Sequence, residues 1–164
     1  MAIRTFASRR NSLRLAGFEY SDRRWYFITV CTAGRQPLFG AITPHRVELS
    51  AAGHIVEDEW RRSADLRLDV NLDVFIVMPD HFHGLIGLCD SFRAERRSSL
   101  PRLIGAFKGA VTRRIRSRDP GNFTEIWQRS YHDAVIRSAR HFENVRRYII
   151  ANPAVAWRAR RLPG

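Results

Sequence analysis

The segment that decides the fold is VNLDVFIVMPDHFHGLIGL, residues 70–88, in which two apolar runs flank Pro79-Asp80. Proline fixes its own φ angle and aspartate tolerates tight backbone bends, so this pair predicts a turn. The first run alternates between apolar and polar residues and then becomes wholly apolar, as a strand covered on both faces should be. We therefore predict two neighbouring strands, residues 70–78 and 81–88, joined by a tight turn.

The flanking sequence predicts further strands and helices on both sides of this pair. Residues 25–32, WYFITVCT, are rich in aromatic and β-branched residues, which indicates a buried strand. The predicted order is strand 25–32, helix 47–64, strands 70–78 and 81–88, a helix capped by Ser99 and ended by Pro120-Gly121, strand 126–137, and helix 138–152, capped by Ser138 and ended by Pro153. This order favours an α+β fold, a single-domain ferredoxin-like sandwich with a four-stranded antiparallel sheet backed by helices.

The charge of the chain is strongly positive. Its 164 residues are one domain's length, and 45% of them are hydrophobic, which is enough to bury a core. Lys and Arg total 28 against 16 Asp and Glu, for a formal charge of +12, and every basic residue except Lys108 is an arginine. A GC-rich genome also raises arginine content, but the sign of the net charge indicates a polyanionic partner such as nucleic acid.

The arginines divide the chain into a domain and two basic ends. Residues 1–24 form a predicted basic N-terminal arm, residues 25–153 the folded domain, and residues 154–164 an arginine-rich C-terminal tail. The outer face of the helix that follows Ser99 is also basic, and it is either an ordinary solvated face or a phosphate-binding one. The candidate nucleic-acid-binding residues are Arg9, Arg10 and Arg14 in the arm and Arg113 and Arg114 on this helix.

Two further features of the sequence predict the cellular location of the protein. No apolar run approaches the roughly 18 to 20 residues of a membrane span, and the first residues lack the apolar core of a signal peptide. Cys31 and Cys89 lie far apart in apolar surroundings, which indicates free thiols rather than a disulfide or a zinc knuckle. We therefore expect a cytoplasmic protein with no membrane partner.

The triplet His81-Phe82-His83 is the sharpest chemical feature of the sequence. Because side chains alternate along a strand, both histidines point to one face and Phe82 points to the other. Two imidazoles held in this way can chelate one divalent ion. The alternative is a pair of surface or internally hydrogen-bonded histidines, which the triplet alone does not exclude.

The last predicted helix carries a second feature. Its buried stripe includes Phe142 and Ile149, and Tyr148 and Asn152 lie beside that stripe, one turn apart. A tyrosine and an amide at this spacing can act on the same point in space. The alternative is a packing tyrosine with an asparagine that caps the helix before Pro153.

Four segments together resemble a known family. They are VMPDHFHGLI at 77–86, WQRSY at 127–131, IR at 136–137 and YIIANP at 148–153. In this combination and order they are similar to single-tyrosine HUH transposases and, within them, to the REP-associated tyrosine transposases of bacteria. The resemblance extends from about residue 25 to residue 157 and is far more specific than any one segment.

The resemblance implies a transposase, a metal-dependent endonuclease and strand transferase, that acts on single-stranded DNA near a hairpin. It implies that Tyr148 is the nucleophile and forms a 5′-phosphotyrosine intermediate. It also implies that His81, His83 and Asn152 bind Mg²⁺, with the histidines on a central strand, and nitrogen ligands predict that Mn²⁺ can substitute. The mobile insertion-sequence branch usually has glutamine at the position of Asn152, so the asparagine favours the REP-associated branch, in which a monomer is favoured over a homodimer.

Two other function classes are weighed against this one. A non-catalytic nucleic-acid-binding domain of the same fold would not need two histidines, a tyrosine and an amide together. A conventional metal hydrolase would need a ligand set such as H-E-x-x-H, clustered cysteines or grouped carboxylates, which the sequence lacks. Tyr131 is the rival nucleophile, but on a strand it has no amide partner four residues later. Asp80 and His132 are candidates for a general base.

Overall fold

The computed structural model describes residues 23–44, 46–89, 99–121 and 125–159. Most of the predicted basic arm, including Arg9, Arg10 and Arg14, lies outside these ranges, as do the last five residues of the predicted tail. The elements, in chain order, are β1 Arg23–Cys31, β2 Gly40–Ile42, β3 Val47–Leu49, α1 Ala51–Asp65, β4 Val70–Met78, β5 His81–Cys89, α2 Leu100–Arg118, β6 His132–Val135 and α3 Ala139–Ala159. None of the helices in the described ranges is long and apolar enough to cross a bilayer.

Four of the strands form one antiparallel sheet in the order β4-β5-β1-β6. β1 and β4 are linked through α1 and lie on either side of β5, which is the split βαβ arrangement of a ferredoxin-like fold. β2 and β3 form a separate two-stranded sheet. The predicted α+β class is therefore confirmed, and the strand with the two histidines is central.

The two faces of the sheet are covered by different helices. Side chains of β5 alternate, so Phe82 and Ile86 enter the core beneath α1 and α2, whereas Leu85 enters a second core beneath α3. His81 and His83 share the face of Leu85 and are therefore turned toward α3. A bulge in β4 between Leu72 and Phe75 shifts the register with β5.

An aromatic cluster fills the core beneath α1 and α2. The rings of Trp60 and Phe82 are 4.7 Å apart between centroids, and Phe107 lies 5.2 Å from Trp60 and 5.5 Å from Phe82. The apolar stripe of α2 is buried in this core and comprises Leu103, Ile104, Phe107, Val111 and Ile115. Burial of these side chains attaches both helices to one face of the sheet.

Two predicted boundaries differ from the structure because long-range packing overrides local pattern. The predicted helix 47–64 begins only at Ala51, since Val47 pairs with β2 and the Ser50 hydroxyl caps α1 by accepting from the Gly53 N–H at 3.1 Å. The predicted last helix begins as expected, after Ser138, whose hydroxyl accepts from the His141 N–H. It does not end at Asn152 but continues through Pro153 to Ala159, where Ala156 and Trp157 pack on the second core.

The predicted strand 126–137 is the third correction. Only His132–Val135 pairs as β6, and Trp127 forms an isolated bridge with Thr32. The ammonium of Lys108 donates to the carbonyls of Gln128 and Arg129 at 2.6 and 3.2 Å, and the Trp127 indole N–H donates to the Lys108 carbonyl at 3.2 Å. These bonds tie the segment to α2 and take its carbonyls out of a strand ladder. Lys108 is therefore a structural residue rather than part of a free basic face.

We expect Gly84→Ala and Gly105→Ala to change stability in opposite directions. A methyl group at Gly84 would lie 2.8 Å from Trp60 Cζ2 and 2.9 Å from Phe82 Cε1, so it should lower the free energy of unfolding by about 1 to 3 kcal/mol. Gly105 in α2 has no neighbour within 4 Å of such a methyl, so the substitution should raise that free energy by up to about 1 kcal/mol. Urea unfolding measures both changes. Equal effects of the two substitutions would contradict the packing described for β5.

Candidate active site

The two histidines of β5 lie side by side on the face that α3 covers. Their ring centroids are 4.5 Å apart and the rings are inclined at 70°. In the register with β1, His81 is opposite Cys31 and His83 is opposite Thr29. The predicted pairing of the two imidazoles on one face of a rigid strand is therefore present.

Each imidazole is held through its Nδ1 atom. His83 Nδ1 lies 2.8 Å from Thr29 Oγ1, and His81 Nδ1 lies 2.6 Å from Asp80 Oδ1. With the ring proton on Nδ1 and donated to these oxygens, Nε2 of each ring keeps its lone pair. Oxygen partners of this kind orient metal-binding histidines in proteins.

The protonation of the pair also suits metal binding. The pKa of His83 is lowered to about 3, mainly by burial and to a smaller extent by the neighbouring His81. Burial likewise lowers the pKa of His81 from its ordinary value of 6.5, against the opposing effect of Asp80. Both rings are therefore neutral near pH 7, the form in which imidazole is a ligand.

A third ligand would have to be of another residue type. Across the described ranges, no group of three or more His, Cys, Asp or Glu residues is placed to hold a metal ion. Two neutral imidazoles and one amide leave a divalent cation its full charge, so Asn152 is chemically compatible with the pair. Asn152 is half-buried within α3, since the helix does not end there.

Tyr148 lies against the histidines. Its ring centroid is 5.5 Å from that of His83 and 5.9 Å from that of Phe27, and the Phe27 and His83 rings are 5.2 Å apart. The tyrosine is nevertheless 52% exposed, so its hydroxyl group is accessible to a ligand. On the next residue of α3, Ile149 is fully buried, which fixes the rotation of the helix about its axis.

The rival tyrosine lies elsewhere. Tyr131 packs at the margin of the core beneath α1 and α2, on the opposite side of the sheet from His81 and His83. Burial, with a smaller effect of Asp133, raises the pKa of Tyr131 above its ordinary value. The structure thus brings Tyr148, and not Tyr131, to the histidines.

An ion pair attaches α3 to the edge of the sheet. Arg146 Nε lies 3.3 Å from Asp73 Oδ1 on β4, and both side chains are mostly buried. Burial raises the pKa of Asp73 from 3.8, while Arg146 opposes that rise and Glu143 adds to it. Arg146 lies two residues before Tyr148. Its ion pair, together with the burial of Phe142 and Ile149, attaches α3 to the sheet.

The two predicted nucleic-acid-binding arginines of α2 are not part of this site. α2 packs on the opposite face of the sheet, so Arg113 and Arg114 are separated from the histidines by the sheet itself. Arg114 donates to Glu59 at 2.7 Å and to Asp58 at 3.3 Å, which engages its guanidinium with α1. Arg113 is exposed, and its role in DNA binding stays a prediction.

Phe27 and Thr29, which contact His83, were not predicted from the sequence. Phe27 and Thr29 occupy alternate positions on β1, and this alternation is a signal that they share one face. Asp80, considered as a general base, instead bonds to His81 and to Arg35. His132 is exposed on β6 opposite Thr29.

Known proteins resemble this chain over most of its length. Residues 55–152 match the family model described as "Transposase IS200 like". An uncharacterized protein of Haemophilus influenzae is 28% identical over an alignment of 164 positions, which covers 90% of this chain and 89% of that protein. The residues matched by the family model include His81, His83 and Tyr148.

Two solved structures share the fold. A REP-associated tyrosine transposase bound to a REP hairpin has a TM-score of 0.59 and 17% identity, over 81% of this chain and 68% of that one. A Deinococcus radiodurans R1 protein described as a candidate transposase has a TM-score of 0.53 and 23% identity, over 84% of this chain and 95% of that one.

Titration of Asp73 should show that the effect of its burial outweighs that of its ion pair with Arg146. Because the folded-state pKa of Asp73 is raised above 3.8, its carboxyl group destabilises the fold progressively as pH rises from 3.8 through the folded-state pKa. The free energy of unfolding of Asp73→Asn, measured relative to the unchanged protein, should therefore increase over that window. Urea unfolding from about pH 3.5 to 7 measures this difference.

Arg146→Gln supplies the matched comparison. This substitution removes the ion-pair partner of the Asp73 carboxylate. It should lower the free energy of unfolding by about 1 to 3 kcal/mol at neutral pH and by less at acid pH. A loss that does not depend on pH would show that the carboxylate is not the group stabilised by Arg146.

Proposed function

The chain belongs to the IS200-like transposase family, and from that premise we propose that it cleaves and rejoins single-stranded DNA beside a hairpin through a covalent bond to Tyr148. The observation that carries the proposal is the contact of the exposed Tyr148 ring with the ring of His83, 5.5 Å away. This contact brings a half-exposed tyrosine to a pair of neutral imidazoles that suits a divalent cation.

The Tyr148 oxygen attacks the scissile phosphorus in the cleavage step. A bond forms between that oxygen and phosphorus, the bond from phosphorus to O3′ breaks, and the leaving strand departs with a free 3′-OH. The tyrosine proton passes to solvent or to the leaving oxygen. In the joining step a 3′-OH attacks the phosphotyrosine and Tyr148 is released, so no external energy source is needed.

The metal site proposed for this reaction consists of His81 Nε2, His83 Nε2 and the amide of Asn152. A bound Mg²⁺ or Mn²⁺ would polarise a non-bridging oxygen of the scissile phosphate. Thr29 and Asp80 hold the two rings in the orientation that leaves these nitrogens available. Tyr148, which contacts His83, and Asn152 are one helical turn apart on α3.

The contact between Tyr148 and His83 lies within one chain. This arrangement supports the monomer as the active state.

The DNA partner is proposed from charge and from similarity. The formal charge of +12 favours a nucleic acid, and one structure of the same fold is bound to a REP hairpin. We propose that Arg9, Arg10 and Arg14 of the N-terminal arm contact phosphates of the hairpin stem. Arg113 would reach DNA only on the other side of the sheet.

Tyr148→Phe should abolish covalent attachment to DNA while binding persists. The probe is a labelled hairpin oligonucleotide with randomised single-stranded flanks, incubated with the protein and Mn²⁺. We expect a denaturant-resistant protein–DNA adduct that disappears in Tyr148→Phe, because phenylalanine lacks the attacking oxygen, and that is retained in Tyr131→Phe. A binding domain without activity would give no adduct, and a hydrolase would cut without one.

Thr29→Val should weaken metal binding. Valine has nearly the shape of threonine but cannot accept the His83 Nδ1 proton, so we expect a loss of about 10- to 100-fold in Mn²⁺ affinity. Calorimetry without DNA measures the affinity, and Thr29→Ser, which keeps the hydroxyl group, is the matched control. Equal affinities for the two variants would argue against a metal bound through His83.

A further inference from the structure

Arg35 lies beside the histidine pair, in the short turn Ala33–Arg35 that follows β1. Its φ angle is 57°, a left-handed conformation that is costly for a residue other than glycine. The conformation is held by contacts of the side chain. Arg35 Nε lies 3.0 Å from Asp80 Oδ2, and Arg35 Nη1 donates to Cys31 Sγ at 2.9 Å.

These contacts connect the guanidinium to the histidines. The other oxygen of Asp80, Oδ1, is the one that bonds to His81 Nδ1 at 2.6 Å. One carboxylate therefore lies between a permanent cation and a predicted metal ligand. The Arg35 side chain is 51% exposed, and the contacts of its guanidinium with other described residues leave N–H donors for a ligand.

The position of the Arg35 guanidinium is not explained by the orientation of His81. Asp80 alone suffices to orient His81, and a positive charge near a site for a divalent cation opposes metal binding by Coulomb repulsion. The repulsion becomes attraction when an anion lies between the two positive groups. A phosphate of the DNA strand is such an anion, and the planar guanidinium is well suited to phosphate oxygens.

We propose that Arg35 binds a backbone phosphate of the DNA strand at or next to the cleaved linkage and so positions that strand across His81 and His83. This inference rests on the proposed function, because it assumes that the single strand reaches the histidine face. Arg35 is then a binding residue of the active site. The exposed donors face the strand, and Asp80 and Cys31 hold the remainder of the guanidinium rigid.

The test measures DNA binding without metal, in the Tyr148→Phe background and in the presence of EDTA. The probe is a hairpin oligonucleotide with a thymidine single strand at its foot. Arg35→Gln should lower the affinity about tenfold and reduce the slope of log affinity against log salt by about 0.7, the value for one contact to a single-stranded phosphate. Arg35→Lys should keep the slope, because it keeps the charge.

The matched control is Arg62→Gln. Arg62 is also exposed and ion-paired, with Glu59 at 3.7 Å, but it lies on α1, on the opposite side of the sheet. We expect no change in affinity or slope for this variant beyond the experimental error.

A scan of neutral linkages identifies the phosphate. One methylphosphonate at a time replaces the linkages around the hairpin foot, and each substitution is measured with Arg35 and with Arg35→Gln. At one linkage the methylphosphonate should lower the DNA affinity of the protein with Arg35 about tenfold and leave that of Arg35→Gln unchanged. That lack of additivity would not arise from a role of Arg35 in holding Asp80 alone.

Two results would overturn the inference. One is that the losses of affinity caused by the methylphosphonate and by Arg35→Gln add at every linkage. The other is that the dependence of affinity on salt is as weak for Arg35→Lys as for Arg35→Gln. Either result would leave the proposed function intact if the adduct at Tyr148 still forms. If no adduct forms with the unchanged protein, the proposed function fails even where the coupling to Arg35 is found.

Discussion

The site depends on the register in which β5 pairs with β1. That register sets His83 opposite Thr29 and His81 opposite Cys31, and it sends Phe82 into the aromatic core on the other face. A slip of one residue would turn both imidazoles into the apolar core beneath α1 and α2 and would turn the Phe82 ring toward α3. The cluster of Phe82 with Trp60 and Phe107 therefore stabilises the fold and, at the same time, keeps the histidines on the face of α3.

The second part of the site reaches the same face by an independent route. α3 does not belong to the sheet, and it is attached by burial of Phe142 and Ile149 and by the ion pair of Arg146 with Asp73. These contacts leave Tyr148 with one side against His83 and the other in solvent. A strand that carries two neutral imidazoles and a helix that carries Tyr148 thus converge on one face of the sheet.

The histidine pair and the spacing of Tyr148 and Asn152 could be predicted from local periodicity, because strand alternation and helical spacing are properties of short segments. Their meeting could not be derived from periodicity, since it depends on which face α3 covers. The support from Thr29 and Arg35 depends on pairing over more than forty residues and on a turn with an unusual backbone angle. The shortened β6 and the continuation of α3 through Pro153 could not be predicted for a related reason. Lys108 bonds to the segment before β6, and Trp157 at the end of α3 packs on the second core, so both differences depend on contacts outside the local sequence.

The proposed mechanism requires that the chain becomes attached to DNA through Tyr148. Mass spectrometry of the adduct after digestion by trypsin and nuclease tests it directly, since cleavage after arginine separates residues 130–137 from residues 148–158. We predict that the remaining nucleotide is linked through phosphate to the peptide with Tyr148. A nucleotide on the peptide with Tyr131, or on neither peptide, would contradict the account.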